Sequence, residues 1–139
     1  MAFLDEAIVA LLKANSPINT VVGGRIYPIK APDNAVMPMI TYQRVSNLRE
    51  SMITGEQPKL TETLFQLDIW VSQYTGQNSG ISTLRTISKN VRELLDAYRG
   101  TTSGVDIQAI MSENEFDYPW DEVAKIYGVT QRYRIFHRE

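Results

Sequence analysis

Residues 60–98 constrain the fold more than any other stretch, because they join two different hydrophobic periods. Residues 60–73 alternate apolar and polar side chains, which is typical of a strand with one buried face. Residues 81–98 carry apolar side chains at steps of three and four, which predicts a helix that stops at Gly100. The strand and the helix should pack on each other in two layers. The apolar faces are Phe65, Leu67, Ile69 and Val71 on the strand and Ile81, Leu84, Ile87, Val91, Leu94, Leu95 and Tyr98 on the helix; Gln66, Asp68 and Trp70 lie opposite on the strand.

Shorter periodic segments extend this unit on both sides. Apolar side chains at helical spacing predict a helix over residues 4–12, which Pro17 ends or redirects. Gly23-Gly24 is interpreted as a turn, because no Lys-Ser/Thr pair of a phosphate-binding loop follows it. Further strands are predicted at 25–27, 39–46, 105–111 and 126–137, with Val105, Ile107, Ala109 and Met111 on one face of the third and Tyr127, Val129, Tyr133 and Ile135 inward on the fourth.

The order of these elements predicts an α+β fold. Helix, strand, strand, long strand, long helix, strand, strand corresponds to a mostly antiparallel β-sheet with two α-helices packed on one face. The chain has 139 residues and no low-complexity tract. We therefore expect a single domain over residues 1–139.

Composition excludes several classes of function. The formal net charge of −2 mixes both signs along the chain, so there is no basic stripe for sequence-independent DNA binding. The chain has no cysteine, which excludes disulfides and thiolate chemistry. Its longest apolar run is too short for a membrane span, and its first residues lack a secretion signal. We expect a soluble protein of the cytoplasm.

Residues 47–59 form a thirteen-residue connection without periodicity. Such long connections are usually functional or mobile. Two readings stay open: the tip of a hairpin, or an arm that docks on a neighbouring subunit. The residues predicted to make that contact are Arg49, Glu50, Met52 and Ile53.

An acidic, aromatic-rich connection is predicted at residues 112–125. Its acids fit the oxygen ligands that hard cations prefer, but the glycine and glutamate spacing of a calcium loop is absent. We therefore favour a solvated hairpin tip, with no metal, no cofactor and no catalytic residue. His137, the one histidine, is read as a surface residue because no oriented partner for a catalytic base is evident. The acids are Glu113, Glu115, Asp117, Asp121 and Glu122.

Aromatic residues mark a candidate interface. Phe116, Tyr118 and Trp120 alternate within the acidic connection, and Trp70 faces away from the predicted core. Aromatic side chains are enriched at interface hot spots, so the three of the connection either fold back on the sheet or anchor a partner, and the outward Trp70 and Phe136 favour a partner. A second sheet face with Trp70, Arg44, Arg132 and Phe136 suggests subunit contacts.

Five stretches in order resemble the tail completion family of long-tailed bacteriophages. They are VVGGRIYP (21–28), MPMITYQRVS (37–46), LFQLDIWVSQY (64–74), VRELLDAYRG (91–100) and YRIFHRE (133–139). The resemblance covers almost the whole chain, and its specificity lies in the combination, since no single stretch is a specific motif.

The resemblance implies a structural virion protein. Members are similar to tail terminators and tail-to-head joining proteins, which form rings, usually homo-hexamers, at the head-proximal end of the tail tube. Such a ring stops tube growth, joins the tube protein to the head–tail connector protein, and lets DNA pass its lumen without specific binding. The family has no catalytic residue, and its assembly takes place in the host cytoplasm.

Two other hypotheses remain at this stage. One is a small metal-assisted hydrolase that uses Glu113, Glu115 and Asp117 of the acidic 113–122 loop. The other is a monomeric protein-binding module that uses the aromatic residues.

Overall fold

A six-stranded mixed sheet with helices on one side forms the protein. The computed structural model describes residues 3–49, 60–75, 78–119, 123 and 125–138, with the backbone alone at 74, 75, 78 and 79. The helices are α1 (Leu4–Ala14), α2 (Ser16–Val22) and α3 (Gly80–Leu95). The strands are β1 (Ile26–Pro28), β2 (Met39–Arg49), β3 (Thr61–Ser72), β4 (Tyr74–Thr75), β5 (Asn78–Ser79), β6 (Gly100–Thr102), β7 (Val105–Asp117) and β8 (Ile126–Arg138).

The sheet order is β1-β2-β3-β8-β7-β6, and β4 and β5 form a separate two-stranded ribbon. All pairs in the main sheet are antiparallel except β1 with β2, which is parallel. The prediction of an α+β fold with a mostly antiparallel sheet is therefore confirmed in its class. The sheet is mixed rather than purely antiparallel, and the predicted number of two helices is wrong, because the described residues form three.

The core lies between the helices and one face of the sheet. The predicted strand face of Phe65, Leu67, Ile69 and Val71 is fully buried there, together with Leu84, Ile87, Val91 and Leu95 of α3. Leu94, Leu11 and Tyr98 are half-buried at the edge of this core. The two matched periodicities of residues 60–98 thus meet as predicted, and hydrophobic burial holds the two layers together.

Helix α1 is followed at once by a separately capped helix. The Asn15 side chain accepts a hydrogen bond from the Ile18 amide at 3.1 Å, which is a standard N-cap contact. Pro17 occupies the first turn of α2, where its missing amide hydrogen costs nothing. Gly23 ends α2 in the left-handed conformation, so the Gly-Gly pair is part of a helix-terminating turn.

Helix α3 ends at Leu95, earlier than the predicted stop at Gly100. Ala97 adopts a φ of 66° and its amide donates to the Ile110 carbonyl at 2.9 Å. This bond to β7 terminates the helix, and Gly100 already belongs to β6.

Strand β7 departs most from its prediction. A bulge between Ile107 and Ala109 inserts one residue, and such an insertion turns the following side chains to the other face. Ile110 is consequently buried, whereas Met111 is 47% exposed. The strand also continues to Asp117, so residues 112–117 of the predicted connection at 112–125 belong to the sheet.

Two further predictions are corrected. Asn47, Leu48 and Arg49 belong to β2 and pair with β3, so only residues 50–59 of the predicted 47–59 connection remain, and these lie outside the described residues. His137 is 1% exposed rather than a surface residue. Its Nε2 lies 2.8 Å from the buried Thr63 hydroxyl on β3. The described helices include none long and apolar enough to cross a membrane.

Candidate interaction surface

The sheet face opposite the helices, called the outer face below, carries the aromatic residues singled out in the sequence. Facing residues of paired strands share a side of the sheet. Asp68 faces Thr41 on β2 and Thr130 on β8, and Trp70 faces Gly128. The outer face is thus built from alternate residues of β2, β3, β8 and β7.

Trp70 and Tyr118 form the centre of an aromatic cluster on this face. Their ring centroids lie 4.7 Å apart at a tilt of 35°. The indole Nε1 donates to the Thr41 hydroxyl at 3.2 Å, which fixes the ring across β2 and β3. Gly128 lies directly beneath the indole, because a Cβ built on it would come within 2.7 Å of two indole carbons.

Phe116 extends the cluster along β7. The Arg132 guanidinium lies 5.3 Å from the centre of its ring, a distance at which cation–π attraction operates. Phe116 and Tyr118 are 42% and 37% exposed. Trp70, Phe116 and Tyr118 therefore come together at one end of the outer face, while Trp120 lies outside the described residues.

A strip of hydrogen-bonded polar side chains crosses the middle of the outer face. Asp68 accepts from the Thr130 hydroxyl at 2.8 Å and from the Gln66 amide at 3.1 and 3.2 Å. Arg132 Nε donates in turn to the Gln66 Oε1 at 3.0 Å. Gln66 and Asp68 are buried although no helix covers them.

A charged cluster and an apolar groove occupy the other end of the outer face. Arg134 forms ion pairs with Glu62 on β3 and with Glu113 on β7, the latter at 3.1 Å. Beside it, Leu48, Leu60 and Phe136 line a groove of about 210 Å³. Leu48 is 66% exposed there. This end adjoins Arg49 and Thr61, the last paired residues of β2 and β3.

The acids of the proposed metal site are separated and paired with arginines. Asp117 binds Arg85 of α3 through two bonds at 2.7 and 2.8 Å, and Glu115 binds Arg92 at 3.0 Å. The bonds from Arg85 hold the pKa of Asp117 below its usual range, and Arg134 does the same for the pKa of Glu113. In the described part of the chain, no group of three potential metal ligands occurs. Asp121 and Glu122 lie outside it.

Arg44 is not on the outer face, contrary to the prediction. It pairs with Phe65, whose side chain is in the core, so it lies on the helix side of the sheet. There the side chain of Asn47 forms hydrogen bonds with both Arg44 and Arg49. In the Asn47 amide orientation that satisfies both ends, the nitrogen donates to Thr63 at 2.6 Å and the oxygen accepts from Arg44 at 3.0 Å and from Arg49 at 3.2 Å. Arg49 thus marks the fixed start of the segment that contains Glu50, Met52 and Ile53, which lie outside the described residues.

A family model decides the class of protein. The model for tail completion protein gp17 matches residues 6–138. The chain belongs to this family. The resemblance found in the sequence is confirmed, and membership supports a structural protein of a phage tail.

The fold of this family member also occurs in a solved particle. A chain in the "Virion of native gene transfer agent (GTA) particle" is similar at a TM-score of 0.76 and 14% identity, with 98% of this chain and 95% of that chain covered. Identity this low shows the shared fold alone. No curated protein matches the sequence.

Sequence patterns did not reveal the roles of two residues on the outer face, Asp68 and Gly128. Asp68 was seen only as one of three outward residues, because alternation gives a side chain's direction and not its hydrogen-bond partners. Gly128 carried a usable signal. An isolated glycine within a strand pattern often marks a close approach of another group, and here that group is Trp70.

Proposed function

We propose that this protein forms a ring, most simply a homo-hexamer, at the head-proximal end of a phage tail tube. The ring stops tube growth and joins the tube protein to the head–tail connector protein. The observation that carries this proposal is the match of the tail completion family over residues 6–138. Its place in the virion is the head-proximal tail, reached by assembly in the host cytoplasm.

The outer face supports the ring, because helices protect only the other side of the sheet. Exposed aromatic residues on an uncovered sheet face are typical of protein contacts. At the opposite end of the same face, Leu48 and Leu60 are exposed near the start of the 50–59 segment. We assign the subunit or tube contacts to Arg49, Glu50, Met52, Ile53, Trp70, Phe116, Tyr118 and Trp120.

The charge of the chain agrees with a channel that DNA crosses without being held. Phosphate binding by a protein requires several lysines or arginines along one surface. Here the net charge is −2, and Arg85, Arg92 and Arg134 are each neutralised by an acid of β7. A lumen lined by such a surface does not grip the DNA backbone.

The hydrolase alternative loses support for a specific reason. Its three acids lie in a strand, two of them turned toward α3 and one toward Arg134, and each holds an arginine. A metal would first have to displace these guanidinium groups.

The experiment is complementation of particle assembly with purified chain, read by electron microscopy. Tails assembled without the chain should be overlong or should lack heads, and the wild-type chain should restore normal particles. Trp70→Ala should fail to restore them, whereas Phe3→Ala, which removes an exposed aromatic residue beside α1, should succeed. Tails of normal length with heads in the absence of the chain would refute the proposal, and native mass spectrometry of capped tails would give the ring order.

A further inference from the structure

We propose that Asp68 binds an arginine side chain of a partner protein, in a groove of the outer face next to the Trp70–Tyr118 pair. Nothing in the family match assigns a role to this carboxylate. The inference does not depend on the position of the chain in a tail, because its test uses the isolated protein.

The carboxylate of Asp68 is buried but has only neutral partners. It is 8% exposed, and its hydrogen bonds come from Gln66 and Thr130. No ion pair among the described residues includes it. A buried carboxylate is costly unless a cation or several donors balance it. Its Oδ2 accepts a single bond, at 3.2 Å from Gln66, and so retains the capacity to accept more.

The groove over Asp68 has the shape and lining for a flat cation. It is an open surface groove of about 400 Å³, and Thr41, Gln43, Trp70 and Tyr118 line it around the carboxylate. The indole and phenol rings provide π faces, which attract cations within about 6 Å. Lys30 also lines the groove, and its charge repels an incoming cation.

These features favour a guanidinium over other cations. Arginine can stack on aromatic rings while it donates to the Oδ2 oxygen, whereas the lysine ammonium is a compact, strongly hydrated charge. A divalent metal would need several oxygen ligands, and Asp68 is the one carboxylate among the described residues that line the groove. The expected occupant is therefore an arginine that projects from the surface of another protein.

The test is titration with the capped peptide acetyl-Gly-Arg-Gly-amide, compared with its citrulline and lysine counterparts. Citrulline has the shape of arginine without its charge, so it separates charge recognition from stacking. Binding is followed by the Trp70 indole NMR signal in a Trp120→Phe background, which leaves one tryptophan. The arginine peptide should shift that signal saturably, the lysine peptide should bind more weakly, and the citrulline peptide should cause no saturable shift.

Three variants locate the site. Asp68→Asn should weaken binding about tenfold or more, the size of a lost charge-assisted contact. Tyr118→Leu should also weaken it without touching the carboxylate, and Lys30→Gln should strengthen it. Asp106→Asn, the same change on β7 far from the groove, should leave binding unchanged. Circular dichroism of each variant shows that the fold is retained, and Tyr118→Leu keeps the test valid if Asp68→Asn does not fold.

Four outcomes would overturn the inference. They are equal binding of the arginine and citrulline peptides, binding by Asp68→Asn as tight as by wild type, tighter binding of the lysine peptide, and displacement of the arginine peptide by millimolar Mg²⁺ or Ca²⁺. If the chain self-associates and only the arginine peptide dissociates it, the arginine belongs to a second copy and the partner assigned here is wrong.

Discussion

At the scale of single residues, the outer face depends on the smallest and the largest side chains of the chain. The indole of Trp70 can lie flat on β8 only because Gly128 has no Cβ. The same position lets Tyr118 reach the indole, since the Tyr118 amide donates to the Gly128 carbonyl at 2.9 Å. One glycine thus sets the positions of two aromatic residues of the proposed interface.

Gly128→Ala should displace the indole and destabilise the protein by about 1–3 kcal/mol, as overpacking does. The expected readouts are a lower urea midpoint and an altered Trp70 fluorescence spectrum in the Trp120→Phe background. A double-mutant cycle supplies the control. In a Trp70→Ala background the same glycine substitution should cost much less, because the clashing ring is gone. Equal costs in both backgrounds would show that the ring is not the cause.

At the scale of elements, the periodic segments were predictable and their lengths and directions were not. Hydrophobic periodicity predicted both β3, from alternation, and α3, from steps of three and four, because each element buries one whole face. Periodicity failed to predict the second half of β7, where acidic residues replace apolar ones. Arginines of α3 and β8 form ion pairs with these acids and so stabilise the strand. The bulge after Ile107 and the parallel direction of β1 depend on partners distant in sequence, which no local pattern encodes.

The dependence on partners distant in sequence also limits what could be predicted of the candidate interface. Trp70, Phe116 and Tyr118 were predicted from their type and spacing, and the sheet brings them together. The prediction for Arg44 is wrong because Arg44 lies on the same face of the sheet as the core, at a point that the helices do not cover. Asp68 accepts a hydrogen bond from Thr130 of β8, which lies some sixty positions away, so no local sequence pattern predicts this contact.

Leu67→Ala should lower the free energy of unfolding by about 2–5 kcal/mol, because its side chain is fully buried between β3 and α3. Leu94→Ala should cost less, since Leu94 is half-buried. Leu48→Ala is the matched control on the outer face and should change the urea midpoint little. An unchanged midpoint for Leu67→Ala would contradict the packing.

Asp117→Asn should reduce stability at neutral pH by less than about 1 kcal/mol, because the Arg85–Asp117 pair is exposed. Arg85 lowers the pKa of Asp117 in the folded state. The stabilisation is therefore complete above the unfolded pKa of about 3.9 and disappears as the pH falls through the lower folded value. The variant and wild type should converge toward pH 2 in thermal unfolding. Glu93→Gln, at a pair 4.0 Å long, should show little difference at either pH.

At the scale of the whole molecule, stability and assembly are assigned to different regions. Among the described residues, the core between helices and sheet does not include the aromatic cluster of the outer face, and the pairing of Arg49 with Thr61 closes β2 on β3 on either side of residues 50–59. The isolated subunit should therefore tolerate changes in both regions that abolish a ring.

Replacing residues 50–57 by a short Gly-Ser linker should leave a folded subunit that no longer caps tails. This removes Met52 and Ile53 while keeping the pairing of Arg49 with Thr61 that closes β2 on β3. Circular dichroism should match wild type, and electron micrographs should show overlong or headless tails. A linker of equal length that retains Met52 and Ile53 is the control and should restore capping. Normal virions from the Gly-Ser variant would show that the segment is only a hairpin tip.

The position of β8 in the sheet also affects the order in which the strands can pair during synthesis. This strand lies between β3 and β7, so each of them lacks one of its two neighbouring strands until residues 126–138 leave the ribosome. Until then the nascent chain holds two partial sheets, each with a long unpaired edge of the kind that invites aggregation. Because β8 follows the other strands in the chain, it can join the sheet only after they have been made. A chain truncated before residue 126 would therefore leave the edges of β3 and β7 open.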